Sequence, residues 1–166
     1  MNNKILIYGY GNPGRRDDGL GIAFADEMGK WAKKFFPGSI DTETNYQLNI
    51  EDAELISHYD AVVFVDASLE NMNSFALTPI EPSPDTLEFT MHAVSPGYVI
   101  HLCHDLFQKK PKAYLMHIKG YEWNMQEGLT EQASINLKNA LSQLKNALLN
   151  NYIVVGKNHI FDISKN

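Results

Sequence analysis

Cysteine occurs once in this 166-residue chain, at Cys103, which excludes an internal disulfide and any cysteine-rich metal knuckle. Basic residues are the minority, 14 Lys and Arg against 20 Asp and Glu, and nowhere do they form a block. The resulting net charge of −6 argues against non-specific nucleic-acid binding and makes an acidic membrane surface a poor partner. No apolar run approaches the roughly 18 residues of a membrane span. The opening MNNKILIYGYGNPG holds an apolar core too short for the h-region of a signal peptide, so a cytoplasmic protein is expected. Neither a GxSxG elbow nor an HExxH zinc signature is present, and Cys103 has no matching catalytic context.

What is present is ordinary for a soluble domain: 44% apolar and 20% charged residues. The length suits one domain with a sizeable core, and residues 1–166 are read as that domain. KILIY, residues 4–8, is a short apolar run stopped by glycine and predicts a buried strand. From Leu20 onward, Leu20, Phe24, Met28, Trp31 and Phe35 recur at helical spacing until Pro37-Gly38. A strand over residues 40–46 is followed by a short helix carrying Ile50, Ala53 and Ile56. AVVFV, residues 61–65, is the clearest strand and ends in Asp66. Residues 74–84, rich in proline, suit an edge strand or a long loop.

A third helix is predicted from Ser95-Pro96 to Phe107, with Val99, Leu102 and Leu106 facing inward. Residues 113–118 supply another strand. Residues 129–149 form a long helix with Ala133, Leu137, Ala140, Leu144 and Leu148 on one stripe. Residues 152–166 are a final strand or a loose extension. Strands alternating with helices predict an α/β fold: a single-domain, three-layer sandwich whose mostly parallel, twisted sheet carries helices on both faces.

Open sheets of this kind bind ligands at the carboxyl ends of their strands. Three polar clusters fall there: the loop YGYGNPGRRDDG after the first strand, Asp66 after AVVFV, and His92 just before the third helix. Asp17 and Asp18 suit either helix capping or ligand contact. Asp66 is either a cap for the following loop or a desolvated carboxylate that needs a cation. His92 is either structural or a ligand. Two carboxylates and an imidazole make a plausible mixed oxygen and nitrogen site for a first-row divalent metal. His101 and His104 are spaced to share a metal, but Cys103 points to a different side and a solvated helix face accounts for them better. His58, His117 and His159 have no supporting neighbours, and Arg15 and Arg16 read as solvated.

Taken in order, GYGNPGRRDDGLG, YQLNIEDAELI, VVFVDAS, MHAVSPGYVIHL and EGLTE resemble the hydrogenase maturation proteases over about the first 145 residues. Those endopeptidases remove a C-terminal extension from the large subunit of nickel-iron hydrogenases. The resemblance implies Asp18, six positions after Asn12, as the first metal-contacting acid. It implies Asp66 as the second and His92 as the third ligand, all three forming the catalytic and metal-contacting set. Nickel would arrive already bound in the precursor large subunit, with no cofactor held tightly by the enzyme, which is expected to be a monomer. Some members carry glutamate where Asp18 stands. Where others have a Gly-Gly-Thr segment, this chain has ETNYQLN, which resembles a subgroup with a Gln-Leu element and assigns Gln47 to substrate recognition. Gly11 would bring backbone close to the bound chain, Asn12 would fix the loop or contact the substrate backbone, and Asp17 would shape the charge beside Asp18.

Three other readings compete. GYGNPG is similar to the opening of peptidyl-tRNA hydrolases, but RRDDGLGIA supplies no histidine where that class needs one. GYGNPG also fits the G-x-G-x-x-G of a dinucleotide-binding module, where Asp17 and Asp18 would oppose a pyrophosphate. A non-cleaving metal-binding module would use the same three residues.

Overall fold

A computed structural model describes residues 3–85 and 94–150, together with the backbone of 152–155 and 159–162. The apolar run after residue 4 forms β1 (Ile5–Tyr10). A single 3-10 turn, Arg16–Gly19, leads into α1 (Leu20–Phe35). β2 (Ile40–Asn45), α2 (Asp52–Ile56), β3 (Ala61–Ser68) and β4 (Phe75–Pro79) follow. The remaining elements are α3 (Pro96–Phe107), β5 (Lys112–Lys119), α4 (Glu131–Leu149), β6 (Tyr152–Val155) and β7 (His159–Asp162).

β1, β2, β3, β4 and β5 form one sheet in the order β2-β1-β3-β5-β4. All its pairings are parallel except that of β4, the antiparallel edge strand. β6 and β7 pair as a separate antiparallel hairpin. The expectation of a mostly parallel sheet covered on both faces holds. α1 and α4 pack Phe24, Met28, Ala140 and Leu144 against Ile7, Val63 and Met116 on one face. α2 and α3 pack Ile56, Val99 and Cys103 against Leu6, Val62 and Phe64 on the other. Because β1 and β3 are covered on both sides, their sequences read as continuous apolar runs. Each fully buried side chain such as Phe24 or Phe64 contributes about 1.5–3 kcal/mol relative to exposure.

Two inward assignments shift. Ile50 precedes the first residue of α2 and is 54% exposed, outside the helical stripe. Leu106, in the last turn of α3, is 65% exposed, because the buried stripe of that helix runs through Val99, Ile100 and Cys103. Helix starts follow ordinary chemistry. The Ser95 hydroxyl accepts from the Tyr98 N–H ahead of Pro96, and the Thr130 hydroxyl accepts from the Ala133 N–H. Among the described residues no helix is long and apolar enough to cross a membrane.

Candidate functional site

The loop between β1 and α1 is closed upon itself. Every non-proline N–H from Gly11 to Asp18 donates within the protein. Gly11 donates to the Asn45 carbonyl, Arg15 to that of Asn12, and Asp18 to that of Arg15. The Arg16 and Asp17 N–H groups reach across to the Gln126 and Glu122 carbonyls at 2.7 and 3.1 Å. The Asn12 N–H meets Asp18 Oδ2 at 3.1 Å, and the Gly14 N–H meets Asn12 Oδ1 at 2.9 Å. A phosphate cradle needs backbone N–H groups aimed at the ligand, and here those groups are already committed. The GxGxxG pattern therefore makes a tight turn instead. Gly11 is required for it: φ is +137°, and a Cβ there would lie 2.0 Å from the Asp18 carbonyl oxygen. The side chain of Asn12, expected to fix the loop or touch substrate, closes this turn.

The two adjacent aspartates have opposite fates. Asp17 is fully buried. Its Oδ2 accepts from the Tyr121 N–H at 2.8 Å, the Glu122 N–H at 3.2 Å and the Thr130 hydroxyl at 2.8 Å. Its Oδ1 accepts from the Thr130 N–H at 2.8 Å. Burial alone would raise its pKa; the donors from Thr130, Tyr121 and Glu122 outweigh that and hold it below the ordinary 3.8. Asp17, expected to bind substrate and to shape the charge beside Asp18, does not itself line the cleft: its carboxylate joins the first loop to the β5–α4 loop. Arg16 is not merely solvated either. Its guanidinium Nε sits 3.2 Å from Glu122 Oε2 on that same loop, and its backbone is held at φ +50°.

Asp18 faces the other way, into a cleft of about 600 Å³ at the carboxyl edge of the sheet. Asp66 lines the same cleft. It does not end its strand as the sequence suggested, since β3 continues to Ser68. The structure thus brings together the two carboxylates singled out in the sequence, one from β3 and one from the turn after β1. It does not bring Gln47 to them: that side chain is exposed beyond β2. His92 lies outside the described residues; Pro96, the first residue of α3, lines the cleft. Among the described residues no three His, Cys, Asp or Glu side chains converge closely enough to hold a metal ion.

Several lining residues were not singled out in the sequence, among them Glu70 and Arg15, the latter read there as solvated; two more bear on the cleft's chemistry. His117 on β5 is the register partner of Asp66 on β3, and both line the cleft. Trp123, from the β5–α4 loop, lines it as well, and its indole N–H is buried without a hydrogen-bond acceptor. The remaining candidates lie elsewhere. His101 pairs with Asp105 at 3.3 Å on the outside of α3. His104 has a buried Nε2 without a partner, and burial lowers its pKa from 6.5. Cys103 is buried between α3 and the sheet, where burial raises its thiol pKa and leaves it a poor nucleophile.

No family profile matches the sequence, and no curated protein sequence matches it. Solved structures do match. The hydrogenase maturating endopeptidase HybD from E. coli superposes with a TM-score of 0.72 at 19% identity, over 89% of this chain and 93% of its own. The [NiFe] hydrogenase maturation protease HycI from Thermococcus kodakarensis KOD1 gives 0.69 at 19% identity, over 87% and 91%. A hydrogenase 2 maturation peptidase from a Thaumarchaeota archaeon gives 0.61 at 18% identity, over 87% and 97%. The chain therefore has the fold of the hydrogenase maturation endopeptidases.

Proposed function

We propose that this chain is a processing endopeptidase that removes the C-terminal extension of a nickel-loaded nickel-iron hydrogenase large-subunit precursor. The observation that carries the reading is the meeting of Asp18 and Asp66 in one cleft at the carboxyl edge of a maturation-endopeptidase fold. The carboxylates offer two hard oxygen donors, and His92 is the proposed third donor. Such a set is too sparse to retain a metal firmly, so nickel held by the precursor completes it and places the extension beside the carboxylates. Selectivity for the metallated precursor follows, because an empty precursor lacks the bridging ion. The substrate's nickel would polarise the scissile carbonyl, while a carboxylate of the pair would take the proton of the attacking water and return it to the amine that leaves as the C–N bond breaks.

Dinucleotide binding is disfavoured by the committed loop N–H groups. The test is cleavage of the precursor, with and without nickel, by D18N and D66N. Each variant is expected to lose at least 100-fold in rate while melting within a few degrees of the parent. Normal cleavage by either would overturn the reading.

A further inference from the structure

The cleft is wider than one metal ion needs. Asp18 enters from the β1 side, Asp66 stands on β3, and His117 stands on β5. Neighbouring strands lie about 4.8 Å apart, so β5 is about 10 Å from β1 across the sheet. Donors to a single first-row ion sit only about 2 Å from it, so an ion held by the carboxylates occupies one end. His117, the register partner of Asp66, also has a neighbour on the side away from that end. Its Nε2 lies 3.3 Å from the Thr78 hydroxyl of β4, the edge strand on the far side of β5. Leu115, two residues earlier on the same face of β5, and Pro96 add apolar surface to the cleft. An imidazole with the Asp66 strand on one side, a threonine on the other and apolar surface in the same cleft suits a polypeptide, which presents both polar backbone and apolar side chains. At about 3.3 Å per residue, 10 Å of cleft accommodates about three residues of extended chain.

We infer that the β5 end of the cleft is a peptide subsite, in which His117 hydrogen-bonds the substrate polypeptide within about two residues of the nickel. The inference rests on the processing-endopeptidase reading and makes His117 a specificity-determining residue, separate from the metal-contacting pair. Steady-state cleavage of the nickel-loaded precursor tests it, alongside titration of each protein with Ni2+ alone. H117A is expected to raise KM about tenfold and to leave kcat within twofold. H117N, which keeps a hydrogen-bonding group on a short side chain, should recover at least half of that loss. Ni2+ affinity should be unchanged in H117A. An unchanged KM in H117A overturns the subsite, as does a fall in kcat at constant KM. A drop in Ni2+ affinity matching that of D66N also overturns it, because His117 would then be a metal donor. The underlying reading fails separately, through undiminished cleavage by D66N, whatever H117A does.

Discussion

Removing the negative charge of Asp17 gives the sharpest test of how the first loop is held. In D17N the side chain keeps one acceptor oxygen and gains an NH2 group. Placed at the Oδ2 position, that NH2 would face the Tyr121 and Glu122 N–H groups; at the Oδ1 position it faces only the Thr130 N–H. The second arrangement wins and leaves one donor pair opposed in a fully buried setting, a cost of about 2 kcal/mol. D17A strips the acceptor from all those backbone groups; with water replacing part of it, the loss is about 4 kcal/mol. For a chain of this size each kcal/mol moves the melting temperature by about 2–4 °C. D17N should therefore melt about 4–8 °C below the parent, and D17A about 8–16 °C below.

The pH dependence has a definite sign. The folded-state pKa of Asp17 is depressed below 3.8, so its contribution is complete above that value and is lost as pH falls through the folded pKa. The gap between parent and D17N, followed by urea unfolding, should be constant near neutrality and shrink below pH 3.8. A D17N protein that melts within about 1 °C of the parent yet fails to cleave would refute the structural clamp and return Asp17 to the site.

Two further outcomes follow from other positions. G11A must place a Cβ where the Asp18 carbonyl already is and hold alanine at φ +137°; it should lose cleavage more than 100-fold and melt several degrees lower, as calorimetry and the precursor assay will show. His104 carries an unpartnered buried nitrogen and a pKa lowered from 6.5 by burial. A base with a depressed folded pKa contributes fully above its unfolded value and costs stability as pH falls below it. Parent stability should thus decline from about pH 6.5 downward, and that component should vanish in H104L, as denaturant midpoints from pH 5 to 8 will reveal.

The sheet was legible because β1 and β3 advertise two-sided burial through apolar runs, and α1 and α4 show stripes of 3.6 period. Asp18 and Asp66 were legible because both follow such runs at the strand ends where ligands gather. The division of labour between Asp17 and Asp18 was only half visible. Register separated them, but the partners of Asp17 lie 104 to 113 residues downstream, where no local pattern points back. His117 carried a usable signal. Asp66 is the sixth residue of β3 and His117 the sixth of β5, and strands paired from their first residues align those positions. Reading that needed the pairing partner, which the sequence does not name. Leu106 failed for a different reason: near a helix end either of two stripes satisfies the same spacing, and packing chooses.

The clamp at Asp17 also sets an order of events. Its partners are Tyr121, Glu122 and Thr130, so a chain emerging from the ribosome cannot lock its first loop until about three-quarters of its length has appeared. Closing a contact of such long range costs loop entropy before any bond is returned. Asp18 is held locally by the Asn12 N–H and the Arg15 carbonyl, but the loop that carries it is anchored to the rest of the fold through the clamp. A nascent chain, or one truncated ahead of Thr130, would own Asp18 and Asp66 without the clamp that holds the first loop, so the cleft takes its arrangement only once about three-quarters of the chain has been made.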